Sequence, residues 1–299
     1  MIDAPTPSLL SPESADKARE ASSSHGACTS STALPRRLVK WGCLLLTLLA
    51  LFAVLDAQRI GPFCDDGASA LPPSGGRMNL ILMRHAQSEN NELPWWNKVL
   101  LRMKRDPMLT KKGMAEAEAA AAALTALGVA PHLVLSSYLM RAMETAAVAF
   151  GTRVTVAPFL SEHKYFDSDF FSPGSCPLPR DEQRAALAGA GFDVDEQFDW
   201  SYVGGSNDAV GPGEWEAFVA WLWEHPEVQQ LYAAHGDETT VAVVTHGNYL
   251  RLGVLPCGYS HPKNTQAYAV RLQKPAASTL AEGEADVREV TVLYEPRPG

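Results

Sequence analysis

Arg84 and His85 stand at the end of a short apolar run, residues 78–83, and Ala-Gln-Ser-Glu-Asn-Asn follows them. The pair sets a permanent cation beside an imidazole that can be kept neutral, and so able to attack. That is what an enzyme needs to take a phosphoryl group onto a histidine. Arg-His is a common dipeptide, so its meaning depends on what else reaches the same place. Two further segments qualify. In residues 132–146, His-Leu-Val-Leu-Ser-Ser-Tyr-Leu-Met-Arg-Ala-Met-Glu-Thr-Ala, Arg141 falls near the first turn of an expected helix. There its guanidinium can fork onto a phosphate beside the helix N–H donors. In residues 245–248, Thr-His-Gly-Asn, His246 precedes a glycine that lets backbone approach a ligand. Taken singly, Arg141 reads as a solvated helix residue and His246 as a hydrogen-bonded core histidine.

The surrounding pattern supplies the elements that bring these residues together. Residues 78–83 and 132–137 read as buried strands, and residues 240–245, β-branched almost throughout, as a third. Residues 153–158, 266–272 and 288–294 are further strand candidates. Helices are expected over 110–127, with Gly128 as its cap, over 139–150 and over 214–234. The alternation predicts an α/β fold, a three-layer α/β/α sandwich on a mostly parallel central sheet with right-handed crossovers. Residues 159–213 are rich in Pro, Gly, Asp and aromatics and read as an irregular insertion over the sheet edge. Ligands in such sheets bind beyond the carboxyl ends of the strands. Arg84 and His85, Ser136 and Ser137, and His246 all leave strand ends, so three strands deliver polar side chains to one face.

Together these segments resemble the histidine phosphatase superfamily, the phosphoglycerate mutase-like proteins. Arg84-His85-Ala86-Gln87-Ser88-Glu89-Asn90-Asn91 is similar to that family's Arg-His-Gly-x-Ser-x-x-Asn signature, with Ala86 where glycine is usual. Leu109-Thr110-Lys111-Lys112-Gly113 resembles its Leu-Thr-x-x-Gly element, and residues 136–146 its Ser-Ser-x-x-x-Arg-Ala-x-x-Thr-Ala element. Thr245-His246-Gly247 resembles the second histidine motif. The resemblance implies that His85 is the nucleophile and forms a phosphohistidine. Arg84, Arg141, His246 and Asn91 would hold the phosphoryl oxygens, with His246 also serving catalysis. A leaving alkoxide needs a proton. One branch of the family supplies it from an Asp after the second histidine, but here Gly247 and Asn248 follow. The other branch uses a Glu soon after the third strand, a place that Glu162 occupies in Phe-Leu-Ser-Glu-His. The mechanism implied requires no metal and no cofactor, and no spaced ligand set or Asp-rich loop is visible in the sequence. The expected activity is a phosphomonoester phosphatase acting on a phosphorylated small molecule or phosphoprotein. A phosphoglycerate mutase-type transferase and an inactive membrane-tethered interaction module are the alternatives. Residues 92–105 run through Pro-Trp-Trp and a basic patch, which departs from true mutases.

The remaining composition bounds where such an enzyme works. The formal charge of −9, without a basic stripe bearing interleaved aromatics, excludes a general nucleic-acid binder. Residues 1–37 form a polar tail too poor in large apolar groups to order itself. Residues 38–57 form an apolar segment, expected to be a signal anchor or transmembrane helix, with residues 58–76 a linker and 77–299 the phosphatase domain. The charge bias places the tail in the cytoplasm and the catalytic domain in a lumen or outside the cell. Cleavage after residue 57 and secretion is the alternative. Trp95 and Trp96 with Lys98, Arg102, Lys104 and Arg105 read as a lid, a membrane-facing patch or a solvated amphipathic helix. Lys164, Tyr165 and Lys263 are candidate pocket residues. Five cysteines show no metal spacing and leave the compartment open.

Overall fold

The first apolar run forms β1 (Arg77–Arg84), whose side chains are buried on both faces. The reason lies in the helices that alternate with the strands along the chain. After β1 come a single turn α1 (Glu89–Glu92), α2 (Lys111–Ala126), β2 (Leu133–Ser136), α3 (Met140–Phe150) and β3 (Val154–Val156). They are followed by α4 (Arg180–Gly189), α5 (Val194–Gln197) and the short β4 (Phe198–Asp199). Next are α6 (Trp215–Glu224), α7 (Pro226–His235), β5 (Thr240–Thr245), α8 (Gly247–Gly253), β6 (Ala267–Gln273) and β7 (Val287–Tyr294). This computed structural model describes residues 76–94, 97, 103–162, 173–203, 214–256, 258–274 and 287–297. The polar tail, the apolar segment 38–57, the linker to residue 75, Trp95, Trp96, Lys98, Arg102, Lys164, Tyr165 and every cysteine but Cys176 lie outside the described residues.

The strands form one sheet in the order β4-β3-β2-β5-β1-β6-β7. The five from β4 to β1 run parallel, and β6 and β7 are antiparallel additions beside β1. Strand alternation sends Val241 and Val243 of β5 to one face and Ala242 and Val244 to the other. Leu124, Met143 and Leu187, from α2, α3 and α4, cover the second face, while Phe218, Leu222, Val228 and Leu250, from α6, α7 and α8, cover the first. The protein is therefore a three-layer α/β/α sandwich on a mostly parallel sheet. Arg84 pairs in register with Thr245, and Ser136 with Val244. The carboxyl ends of β1, β5 and β2 thus finish level with one another, which sets the site.

Three regions differ from the sequence expectation. Residues 214–234 form two helices, not one, because Pro226 has no N–H to donate and holds His225 extended at φ −64°, ψ 124°. Residues 159–213 are not simply irregular: α4 begins after Pro179 with Asp181 and Glu182 in its first turn, where carboxylates favour a helix start. β4 then extends the sheet edge beside β3. The helix α8 was hidden by its terminal glycines. Among the described residues no helix is long and apolar enough to cross a membrane.

One contact governs how β1 delivers its terminal residues. Thr110, the N-cap of α2, accepts from the Gly113 N–H, and its own N–H and hydroxyl reach the Gln87 backbone carbonyl and side chain. Gly113 packs so closely that a Cβ there would lie 2.0 Å from the Gln87 carbonyl oxygen. Backbone cannot yield as a side chain can. Gly113→Ala is expected to lower stability by ~1–3 kcal/mol in denaturant unfolding, while Lys111→Ala, at an exposed position, changes it by less than ~0.5 kcal/mol. Equal midpoints for the two variants would show that the contact is slack.

Candidate active site

Beyond the level strand ends, the residues expected to act together do meet. His85 is buried, its Nδ1 2.7 Å from the Ala86 carbonyl oxygen, and its Nε2 3.2 Å from Nε of Arg141. A carbonyl oxygen can only accept, so Nδ1 carries the proton and donates to it. Nε2 then holds the lone pair, which accepts the Arg141 Nε–H. Burial first, and then the Arg141 and Arg84 guanidiniums, hold this imidazole well below its ordinary pKa. His85 is therefore neutral near neutral pH, with its lone pair on Nε2 and its ring in the cleft wall. The loop carrying it is fixed by Thr145 of α3, whose hydroxyl accepts the Ala86 N–H and donates to the Arg141 carbonyl.

The cations come from two elements. Arg141 is buried in the first turn of α3, and its Nη1 donates to the Gly174 carbonyl at 2.6 Å. Arg84 donates from Nη1 to the Pro262 carbonyl at 2.7 Å, while its buried Nε has no hydrogen-bond partner. A buried guanidinium N–H left without an acceptor, beside a second guanidinium, is a place for an anion. His246 follows β5 and lies with its ring centroid 5.2 Å from that of His85. Its Nε2 shares a 2.9 Å hydrogen bond with the Ser137 hydroxyl. Gly247 packs closely against His261 and Arg84: a Cβ there would come within 2.5 Å of the His261 ring and 3.1 Å of Arg84 Nε, so those side chains would have to shift.

Glu162 reaches the same cleft from the segment after β3. One carboxylate oxygen accepts the Asn248 N–H at 3.0 Å, and the other lies 4.0 Å from Nδ1 of His246. Burial raises its pKa, against the opposing pull of Arg141, Arg84 and the N–H groups that begin α8. A carboxyl group held toward its protonated form at a cleft wall can donate a proton. Asn91 also lines the cleft, its side-chain carbonyl accepting from the Ser88 N–H and hydroxyl. The amide NH₂ is the part of Asn91 left to meet a ligand.

The cleft has a volume of about 170 Å³ and is walled by Arg84, His85, Asn91, Arg141 and Glu162, with Met103 and Gly174 at its upper edge. Asp106 holds that edge in place by accepting from the N–H groups of Met140 and Leu178 and from the Gln183 side chain. The segment before α2, through Met103 and Pro107, and the insertion 159–213, through Gly174 and Ser175, thus both contribute. His85, Glu162 and His246 also bring one possible metal-ligand atom each within 4.8 Å of one another. Arg84 and Arg141 flank them, so the local charge favours an anion over a divalent cation. Ser137, Thr145, Asp106, Gly174 and His261 complete the surroundings. Ser137 and Thr145 lie inside the quoted motifs, whereas nothing in the sequence marks Asp106, Gly174 or His261.

Residues 80–169 match the family model described as histidine phosphatase superfamily (branch 1). A 2,3-bisphosphoglycerate-dependent phosphoglycerate mutase of Beijerinckia indica is 41% identical over 73 residues, which cover 24% of this chain and 32% of that protein. The matched stretch thus spans about a third of this relative's length. Among solved structures, mycobacterial glucosyl-3-phosphoglycerate phosphatase aligns over 72% of this chain and 98% of its own, at 24% identity and TM-score 0.39. The ecdysone phosphate phosphatase of Bombix mori, solved with tungstate, aligns over 74% and 95% at 15% identity and TM-score 0.46. The family match spans Arg84, His85, Arg141 and Glu162, residues that the fold gathers around one cleft, and over that stretch the chain is similar to the histidine phosphatase superfamily.

Proposed function

We propose that the chain is a metal-independent phosphomonoester phosphatase working through a phosphohistidine on His85. The observation that carries this reading is the orientation of His85, with Nδ1–H bound to the Ala86 carbonyl and Nε2 accepting from the Arg141 guanidinium. In the first step the Nε2 lone pair attacks phosphorus and the ester P–O bond breaks. Arg84, Arg141 and His246 hold the equatorial oxygens, whose charge they match. Glu162 gives its proton to the departing alkoxide. In the second step water attacks the phosphohistidine, Glu162 takes a proton from it, and inorganic phosphate leaves. The phosphatases among the structural neighbours and the relative named as a mutase are in keeping with phosphoryl chemistry on this scaffold. The substrate is a phosphorylated small molecule or phosphoprotein. Residues 38–57 are proposed to anchor the enzyme to a membrane with the tail cytoplasmic, and protease protection of an N-terminal tag in intact vesicles tests that sidedness.

Hydrolysis of para-nitrophenyl phosphate by the full chain tests the nucleophile. His85→Ala is expected to reduce turnover to background and to abolish an acid-labile phosphoenzyme formed on brief mixing, with an unchanged circular-dichroism spectrum. Turnover persisting in a folded His85→Ala protein would refute the phosphohistidine route.

The raised pKa of Glu162 and the depressed pKa of His85 also fix a pH dependence. His85 is deprotonated, and so competent, at all but acidic pH. Activity on alkyl phosphates should therefore fall as pH rises through the Glu162 pKa, because the proton donor is lost. Glu162→Gln should lower kcat on an alkyl phosphate ~10²-fold or more and remove that alkaline limb. The loss should be much smaller on para-nitrophenyl phosphate, whose phenolate needs little protonation. Equal losses on both substrates would assign Glu162 a role other than proton donor.

A further inference from the structure

A second concavity shares Arg84 with the first. Its volume is about 410 Å³, larger than the catalytic cleft, and Arg84 and Asn91 line both. The other charged groups on its wall are Lys112 from α2, Lys263 from the loop before β6, Arg297 beyond β7, and Glu116. Four cations face one carboxylate in a chain whose net charge is −9. Existing ion pairs do not neutralise this wall. Glu116 is occupied by the Gln87 N–H at 2.9 Å and by Lys112 at 3.9 Å, and Lys263 pairs with Glu295 at 2.6 Å. Counting Glu295 with the lining still leaves two positive charges in excess, one of them the partly buried Arg84.

The wall is also held in place. Thr265, two residues after Lys263, is fully buried in the left-handed region at φ 59°, which a β-branched residue seldom adopts. Its N–H donates to the Arg84 carbonyl at 3.0 Å, and the Lys263 N–H is bound by the Gln266 side chain at 2.8 Å. Such strain persists where the surroundings determine the conformation, and it is found where a site has to be shaped. The turn therefore fixes Lys263 and Asn264 relative to the residue that grips the phosphoryl group.

We infer that this concavity is an anion subsite of the substrate pocket, and that the favoured substrates are small phosphomonoesters carrying a second anionic group, a carboxylate or a further phosphate. The inference rests on the phosphatase reading above. The phosphoryl group occupies the His85 cleft, Asn91 and Arg84 form the partition, and the second anion sits among Lys112, Lys263 and Arg297. This wall is built from α2 and the two segments flanking the antiparallel strands, not from the insertion 159–213. Specificity would thus be set on the side of the cleft away from the proton donor's segment.

Matched substrate pairs test it. The full chain is assayed with 3-phosphoglycerate against glycerol 3-phosphate, and with glucose 1,6-bisphosphate against glucose 6-phosphate, at low ionic strength. At least one doubly anionic member is expected to exceed its partner ~10-fold or more in kcat/KM, mainly through KM. In the Lys263→Gln/Arg297→Gln variant that ratio should fall toward one, and it should also fall in the wild type as salt is added. No preference within either pair, or a variant that slows both members of a pair equally, would overturn the subsite. Para-nitrophenyl phosphate turnover keeps the two readings separable, since its absence would sink the phosphatase reading alone. Calorimetric binding of the same pairs to His85→Ala then decides the subsite without catalysis. Tighter binding of a doubly anionic member supports it, and equal binding within both pairs rejects it.

Discussion

The hydrogen bond from His85 Nδ1 to the carbonyl of the next residue is the interaction on which the site turns. An imidazole has two nitrogens, and only an unprotonated one can attack. Donation from Nδ1 to an oxygen that can only accept leaves a single answer, with the lone pair on Nε2. The Arg141 and Arg84 guanidiniums act in the same direction, because each disfavours imidazolium and, in the proposed reaction, attracts the phosphoryl oxygens. In the proposed reaction, nucleophile activation and substrate binding are thus one electrostatic arrangement rather than two. Replacing either Arg would weaken both.

That hydrogen bond depends in turn on the backbone of residues 85–88 being held still. Four independent grips do this: Ala86 N–H on Thr145, Gln87 N–H on Glu116, the Gln87 carbonyl under Gly113, and His85 N–H on the Thr245 carbonyl. They come from α3, α2 and β5, so all the elements nearest the site converge on the loop. Ala86 is itself fully buried, and the loop accepts its methyl group without disturbing the donation to Thr145. The usual glycine at that place is not needed here.

The sheet and its main helices were legible because their apolar residues must lie on both faces of a covered sheet, which leaves a strong imprint at residues 78–83 and 240–245. The roles of His85, Arg141, Glu162 and His246 were suggested by motif, and the fold brings the four together. What stayed hidden has a common physical character. The break at Pro226 was read through because the apolar spacing continues across it. α4 was lost among residues whose composition resembles a loop, since its contact with the body of the sheet is narrow. Asp106, Gly174 and His261 act through position alone: Asp106 through a buried carboxylate with three donors, Gly174 through a carbonyl, and His261 through its ring beside Gly247. No residue type or spacing announces such contacts before the chain is folded.

Charge placement explains why this constellation suits an anion and a proton donor at once. Glu162 lies within the field of Arg141 and Arg84, which would ordinarily keep a carboxyl ionised, yet burial outweighs them and raises its pKa. When a phosphate dianion occupies the cleft, its negative charge offsets the same guanidiniums and adds repulsion against a carboxylate. In the proposed reaction, substrate binding would therefore push Glu162 further toward the protonated form that the leaving group requires. On the proposed function, the cations of the empty site would draw the substrate in, and the filled site would turn that substrate's charge into a means of loading its own acid. In the proposed reaction, departure of the alcohol would leave the carboxylate ionised beside a phosphohistidine, the state in which it can take a proton from water.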